Sequence, residues 1–318
     1  MTTENESRKP DIRKLVFGRL ALITGKGGVG KTTIAAALAS LSAAQGRRTL
    51  LVEIDAHRPS FNAVFRGEFG YEPKLVAPNL WVANLEWKYA LHEWLERVIP
   101  SRRVVDMVLE NRLVRLFLNA TPGNTEVVLF SKLVWLAADY DFLVVDLPAS
   151  GHAAALLTSP KRVMELFTVG PIYQRAREAQ DLLEDPGTSA VLVALPEDMV
   201  INETVETWRK LRNLQPGLRV PLVVLNRASR PSLSEDERTL LTRLSEQHKG
   251  GLEGELLLAG RWEALLEEGT RSALERFAAE IDAPVVDIPR MPPDGGPERL
   301  LRLVTAALAR LDTREGGP

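Results

Sequence analysis

Cysteine is absent from all 318 residues. Disulfides, thiolate metal sites and thiol chemistry are therefore excluded. An excess of charge of one sign is missing as well. Forty Lys and Arg stand against 42 Asp and Glu, and a net charge of −2 exerts no global pull on nucleic acid or anionic lipid. No run approaches the roughly 18 consecutive apolar residues of a transmembrane helix. The mixed-charge segment 1–14 lacks the apolar centre of a secretion signal and reads as a short disordered lead-in. These absences set the expectation of a cytoplasmic protein whose contact with a membrane, if it has any, is peripheral. No internal repeat or low-complexity tract occurs.

A hydrophobic content of 45% is enough for a large core. Short apolar runs without polar alternation recur at 20–24, 49–54, 142–147, 190–195, 221–225 and 284–288. Such runs read as parallel strands covered on both faces, with a further short strand possible over 80–86. Helical stretches between them imply an α/β fold with a doubly wound, mainly parallel sheet. One nucleotide-binding domain over 15–318 is expected, with a helical insertion at about 88–138. There Leu91, Trp94, Leu95, Val98 and Ile99, then Val105, Val108, Leu109, Leu113 and Leu116, follow helical spacing on either side of Pro100. Their apolar faces either pack as core or form a client groove. Residues 235–268 read as a charged, helix-rich excursion. The C-terminal stretch 297–311 is amphipathic and either covers the sheet or forms a surface helix.

The densest chemistry lies in Gly25-Lys26-Gly27-Gly28-Val29-Gly30-Lys31-Thr32-Thr33. Gly25 to Thr32 satisfies the phosphate-loop pattern, between a strand and an alanine-rich helix. Gly27, Gly28 and Gly30 free the backbone to aim consecutive N–H groups, including that of Val29, at phosphate oxygens. Lys31 would reach the β- and γ-phosphates, the Thr32 hydroxyl would ligate Mg²⁺, and the helix N-terminus near Thr33 would add its dipole. Lys26 is a second lysine that an ordinary phosphate loop does not need. Its place between glycines suggests a cation donated across a dimer interface to the partner's nucleotide.

Three more strand ends carry polar groups. Asp55, in Asp55-Ala56-His57-Arg58, is suited to polarising water or holding Mg²⁺ through water. Asp146 begins a glycine-hinged loop running to His152 and is suited to the outer shell of Mg²⁺. Asn226 either contacts a nucleobase edge or serves a turn. His57 and His152 have no partners at metal-ligand spacing.

Together these residues resemble the arsenite-pump ATPase family, which includes the ATPase that targets tail-anchored membrane proteins and sits among the deviant Walker A proteins. Lys26 to Thr33 is similar to that group's phosphate loop, Asp55 with His57 to its first switch, and Asp146 to His152 to its second. Pro122-Gly123-Asn124-Thr125-Glu126 resembles the P-G-x-D-E stretch. Pro196-Glu197 with Glu203 resembles the P-E-x(5)-E segment, and Asn226 its adenine-contacting asparagine. The resemblance implies ATP and Mg²⁺ as cofactors, a dimer with nucleotides near its interface, and hydrolysis coupled to movement of helical subdomains. On it Asp55 would orient the attacking water and Lys26 would act in trans.

Departures from the pattern are Ala56 in the first switch and Thr125 in place of an acid. Missing cysteines argue against arsenite-stimulated transport. With one phosphate loop per chain, a homodimer or a heterodimer with a paralogous ATPase is implied. The leading expectation is a Mg-ATP-dependent dimeric switch that handles a membrane-protein or assembly client. The alternatives are a Min/Par-like positioning ATPase and a catalytically weak regulatory subunit of a heterodimer.

Overall fold

The computed structural model describes residues 12–54, 56, 59–99, 101–112, 124–248, 250–292 and 294–313. Eight strands form one sheet in the order β3-β4-β2-β5-β1-β6-β7-β8. These are β1 (Leu20–Thr24), β2 (Thr49–Ile54), β3 (Lys74–Ala77), β4 (Leu80–Leu85), β5 (Phe142–Asp146), β6 (Thr188–Ala194), β7 (Arg219–Ala228) and β8 (Val285–Pro289). Every pairing is parallel except that of β3 with β4. The doubly wound reading of the sequence therefore holds, because β1, β2, β5 and β6 are buried along their whole length and helices must cover both faces.

Seven of the eight strands fall on the runs read from sequence, with ends shifted by at most three residues. The exception is β3, an exposed antiparallel edge strand beginning with a lysine, without the continuous apolar run of its neighbours. Edge strands have one solvated side and need no such run.

The helices are α1 (Ile12–Val16), α2 (Lys31–Ala44), α3 (Phe61–Phe65), α4 (Trp87–Val98), α5 (Arg102–Glu110), α6 (Asn124–Asp139), α7 (Ser150–Leu166), α8 (Pro171–Glu184), α9 (Asp198–Leu214), α10 (Glu235–Gln247), α11 (Gly251–Glu280) and α12 (Gly296–Thr313). Ile12, Leu15 and Val16 are buried in α1, so the polar lead-in expected through residue 14 already gives way to packed helix at residue 12. α2 lies against the sheet because Ala35, Ala36, Ala37 and Ala39 are small and buried, with Leu38 fully buried among them. α12 packs on α2, with Val304 and Leu308 buried. The amphipathic C-terminal stretch thus covers the domain, and that part of its apolar face is not free for a bilayer.

Between β4 and β5 the described chain is helical. α4 and α5 flank position 100, which with Leu113 and Leu116 lies outside the described residues. A polar cluster joins α4 to α6. The Glu93 carboxylate accepts from Lys132 Nζ (2.6 Å), Tyr71 Oη (2.7 Å) and Arg97 Nη2 (3.0 Å). Three donors on one carboxylate offset its desolvation, and the Glu93 pKa lies below the ordinary carboxylate value despite burial.

Candidate functional site

Parallel pairing aligns the C-terminal ends of β1, β2, β5, β6 and β7 along one edge. There Ile23 is in register with Asp146, and Asp146 with Glu53. Ligands of open α/β sheets sit outside this edge. The chain leaves β1 into the loop 25–30 and enters α2 at Lys31.

The glycines do different work here. Gly25 has φ of 149°, and a Cβ on it would lie 2.2 Å from the Val193 carbonyl oxygen. It fixes how closely the loop leaves β1 beside β6. Gly30 has φ of 97° and caps α2 in the left-handed region. Its absent Cβ makes room for the Asn226 amide, which would otherwise be 2.4 Å away. A Cβ on Gly27 or Gly28 would meet nothing within 4 Å, which leaves room beside the loop for an anion.

Lys31 Nζ donates to the Lys26 carbonyl (3.1 Å). Burial lowers the Lys31 pKa, while Asp146 and Glu203 oppose the shift. Thr32, on the first turn of α2, donates its hydroxyl to Asp146 Oδ2 (2.5 Å). The other carboxylate oxygen, Asp146 Oδ1, is buried without a partner. Burial first, and then the nearby Glu53 charge, push the Asp146 pKa up to about 7 against the pull of Thr32 and Lys31. A hydroxyl and a half-satisfied buried carboxylate at the foot of a phosphate-binding loop fit Mg²⁺, which takes few protein ligands and completes its octahedron with water and phosphate oxygens.

Asn226, from β7, donates through Nδ2 to the Val29 carbonyl (2.8 Å), and its Oδ1 accepts from the Arg227 N–H (3.0 Å). Arg227 sits at φ of 56°, a cost that this side-chain bond to its own N–H offsets. The structure therefore brings Asn226 to the phosphate loop as a latch on its backbone.

Lys26 Nζ lies 3.5 Å from Glu203 Oε2, on α9 of the same chain. Both line a cleft of about 460 Å³ with Gly151, Met199, Asn202 and Lys210. Asp55, His57, Arg58, Pro122 and Gly123 lie outside the described residues, and the side chains of Asn124 and His152 likewise. Among the described residues no group of three or more His, Cys, Asp or Glu side chains could hold a metal ion on its own.

Two residues that the sequence reading passed over stand on either side of the first-switch segment. Glu53, buried on β2, accepts from the Ser60 N–H (2.8 Å), and its pKa is raised by burial. Asn84, buried on β4 in register with Glu53, grips Ala56 twice. Its Oδ1 accepts from the Ala56 N–H (3.1 Å) and its Nδ2 donates to the Ala56 carbonyl (2.9 Å). The signal was present in both cases as one polar residue inside an otherwise apolar strand run.

The sheet order, the strand–loop–helix at β1 and the acid ending β5 define a P-loop nucleotide-binding ATPase fold. Residues 18–174 match the anion-transporting ATPase family. A protein named ATPase BagA from Mycobacterium tuberculosis is 31% identical over 230 residues, covering 66% of this chain and 65% of the relative. A putative arsenical pump-driving ATPase 2 from Aquifex aeolicus is 33% identical over 156 residues, 46% of this chain and 50% of that protein. The arsenical pump-driving ATPase of Escherichia coli is 29% identical over 230 residues, 64% of this chain and 38% of that one. The chain belongs to the arsenite-pump ATPase family. Its match spans about two thirds of the mycobacterial relative's length and half or less of the other two. No described helix is long and apolar enough to cross a membrane.

Proposed function

We propose that the protein binds ATP with Mg²⁺ at residues 25–33 and hydrolyses it as a dimeric switch, coupling the cycle to handling of a membrane-protein or assembly client. The observation that carries this reading is the Thr32–Asp146 pair beneath the glycine loop, with Asp146 Oδ1 buried and unpartnered. A buried carboxylate left half-satisfied costs free energy unless a cation or its water completes it.

In this reading the N–H groups of the loop and the α2 N-terminus hold the phosphate oxygens. Lys31 gives up its bond to the Lys26 carbonyl and turns to the β- and γ-phosphates. Its lowered pKa reflects a burial that an anionic ligand would compensate. Bound Mg²⁺ would neutralise charge on the β- and γ-phosphate oxygens, with Thr32 as its direct protein ligand and Asp146 holding its water. Asp55 orients the water that attacks the γ-phosphorus. The bond to the bridging oxygen breaks, and ADP and phosphate leave. Glu53 and Asn84 brace the segment that carries Asp55 from both sides, at Ser60 and Ala56.

Lys26 is the dimer element. Its ion pair with Glu203 is about a third exposed, 3.5 Å long and weak, so it can exchange that carboxylate for a partner's nucleotide at small cost. The helices between β4 and β5 are the client side of the proposal.

The test is phosphate release from ATP by the wild type and by Lys26→Ala, with mass by light scattering in the same samples. The reading expects an ATP-dependent dimer and turnover that Lys26→Ala loses, on the order of a hundredfold, as for a charge supplied to the transition state. Turnover unchanged in Lys26→Ala would remove the lysine from the mechanism. ATP binding without turnover or dimerisation would overturn the homodimeric switch and leave a regulatory nucleotide site or an obligate paralogue.

A further inference from the structure

Helices α10 and α11 form an antiparallel pair after β7. Buried Glu267 ties them together, accepting from Arg238 of α10 and from the Ser232 N–H (2.8 Å) and hydroxyl (2.6 Å). The base of α11 is fixed to the domain where the Ser229 N–H donates to the Thr270 hydroxyl (3.0 Å), three residues beyond Asn226. Gly260 lets α10 approach closely, since a Cβ there would lie 3.1 Å from Leu241.

The first half of α11 turns an unusual face outward. At 100° per residue, Leu258, Trp262 and Leu265 form one row, and Leu252 with Leu256 a second. Between them runs a row of Glu255, Ala259 and Glu263. All eight are exposed, Leu252 by 73% and Trp262 by 67%. Contiguous exposed apolar residues of this size mark an interaction surface.

The charges select what it takes. Among the described residues Glu255 and Glu263 have no ion pair. The basic residues nearby are engaged elsewhere, Arg261 turned to Ser245 of α10 (3.4 Å) and Arg271 paired with Glu268 (2.5 Å). Two apolar rows enclosing an acidic one repel an anionic bilayer. They also repel a second copy of the same face, which would bring four glutamates together.

We infer that this face docks a cationic amphipathic helix of a partner protein. Two apolar rows with a small residue between them suit helix-on-helix packing. Glu255 and Glu263 are eight residues apart, about 12 Å along the axis, so the docked helix carries Lys or Arg at a spacing of seven or eight residues within an apolar stripe. The inference goes beyond the nucleotide reading and does not depend on it.

The test uses a labelled helix-forming Leu/Lys peptide with lysines eight residues apart, and its Leu/Glu twin, titrated into the full-length protein and followed by anisotropy. The Lys peptide binds at least about tenfold more tightly than the Glu twin, and the double variant Glu255→Lys, Glu263→Lys exchanges that preference. Trp262→Ala weakens the preferred peptide by about tenfold or more, as for a central aromatic contact. All three positions are exposed, so the variants keep the fold, checked by circular dichroism. Equal affinity for both peptides, or no response to the charge reversal, overturns the inference. So does flotation with anionic vesicles, or a concentration-dependent dimer, if Trp262→Ala abolishes it.

Discussion

Gly25 shows how tightly single residues set this site. With φ of 149° and the Val193 carbonyl oxygen 2.2 Å from where a Cβ would sit, Gly25→Ala must move β6 or the loop itself. The expected cost exceeds about 1 kcal/mol, read as a lower urea midpoint together with weaker nucleotide binding. Gly28→Ala, which meets open space, should retain more stability than Gly25→Ala. The motif was fully legible in the sequence because its chemistry is local, and eight consecutive residues specify it. Glu53 and Asn84 stood out only as polar residues inside apolar runs, since the Ser60 partner of Glu53 is set by the path of the chain after β2, and Asn84 reaches Ala56 only when β4 lies beside β2. Glu203 was legible as part of a motif, but its contact with Lys26 required α9 to cross the mouth of the loop.

At the scale of elements, the seam between α4 and α6 depends on Glu93. Removing it leaves the Lys132 ammonium mostly buried and strips acceptors from Tyr71 and Arg97. Glu93→Ala should cost about 3 kcal/mol, at the low end for breaking a buried pair because Glu93 is partly exposed. Glu93→Gln should recover part of it, and chemical denaturation distinguishes the two. The strand positions were readable because buried parallel strands are continuous apolar runs. The edge strand β3 and the end of the lead-in at residue 12 were not. An exposed strand lacks that signature, and α1 is ordered by long-range burial of three side chains, not by its own five-residue propensity. The excursion over residues 235–268 was legible as charged and helical. Its outward leucines and Trp262 became informative only once α10 had taken the other face of α11.

For the whole molecule, the buried acids at the sheet edge predict how stability responds to pH. Asp146 has its pKa raised to about 7, above the value of about 3.9 for an unfolded chain. Between those values the native state holds a proton that the unfolded state has released, so stability falls as pH rises through this window. Glu53, also raised by burial, adds to the same trend. In the absence of divalent cations, the urea midpoint should fall between pH 5 and pH 8. Asp146→Asn should flatten that dependence and exceed the wild type in stability at pH 8, because it removes the charge that burial penalises. Equal pH profiles for the two proteins would show that Asp146 ionises as freely as in an unfolded chain.

In the proposed function the loop at residues 25–33 is a nucleotide site completed by Lys31, Thr32 and Asp146. Calorimetric titration of ATP in the presence of Mg²⁺ into wild type and Lys31→Ala tests it most directly. One ATP per chain is expected for the wild type, with a loss of about a hundredfold or more in affinity for the variant, the usual consequence of removing one partner of a buried charged contact. Equal affinity in the two proteins, or no binding by the wild type, would contradict it.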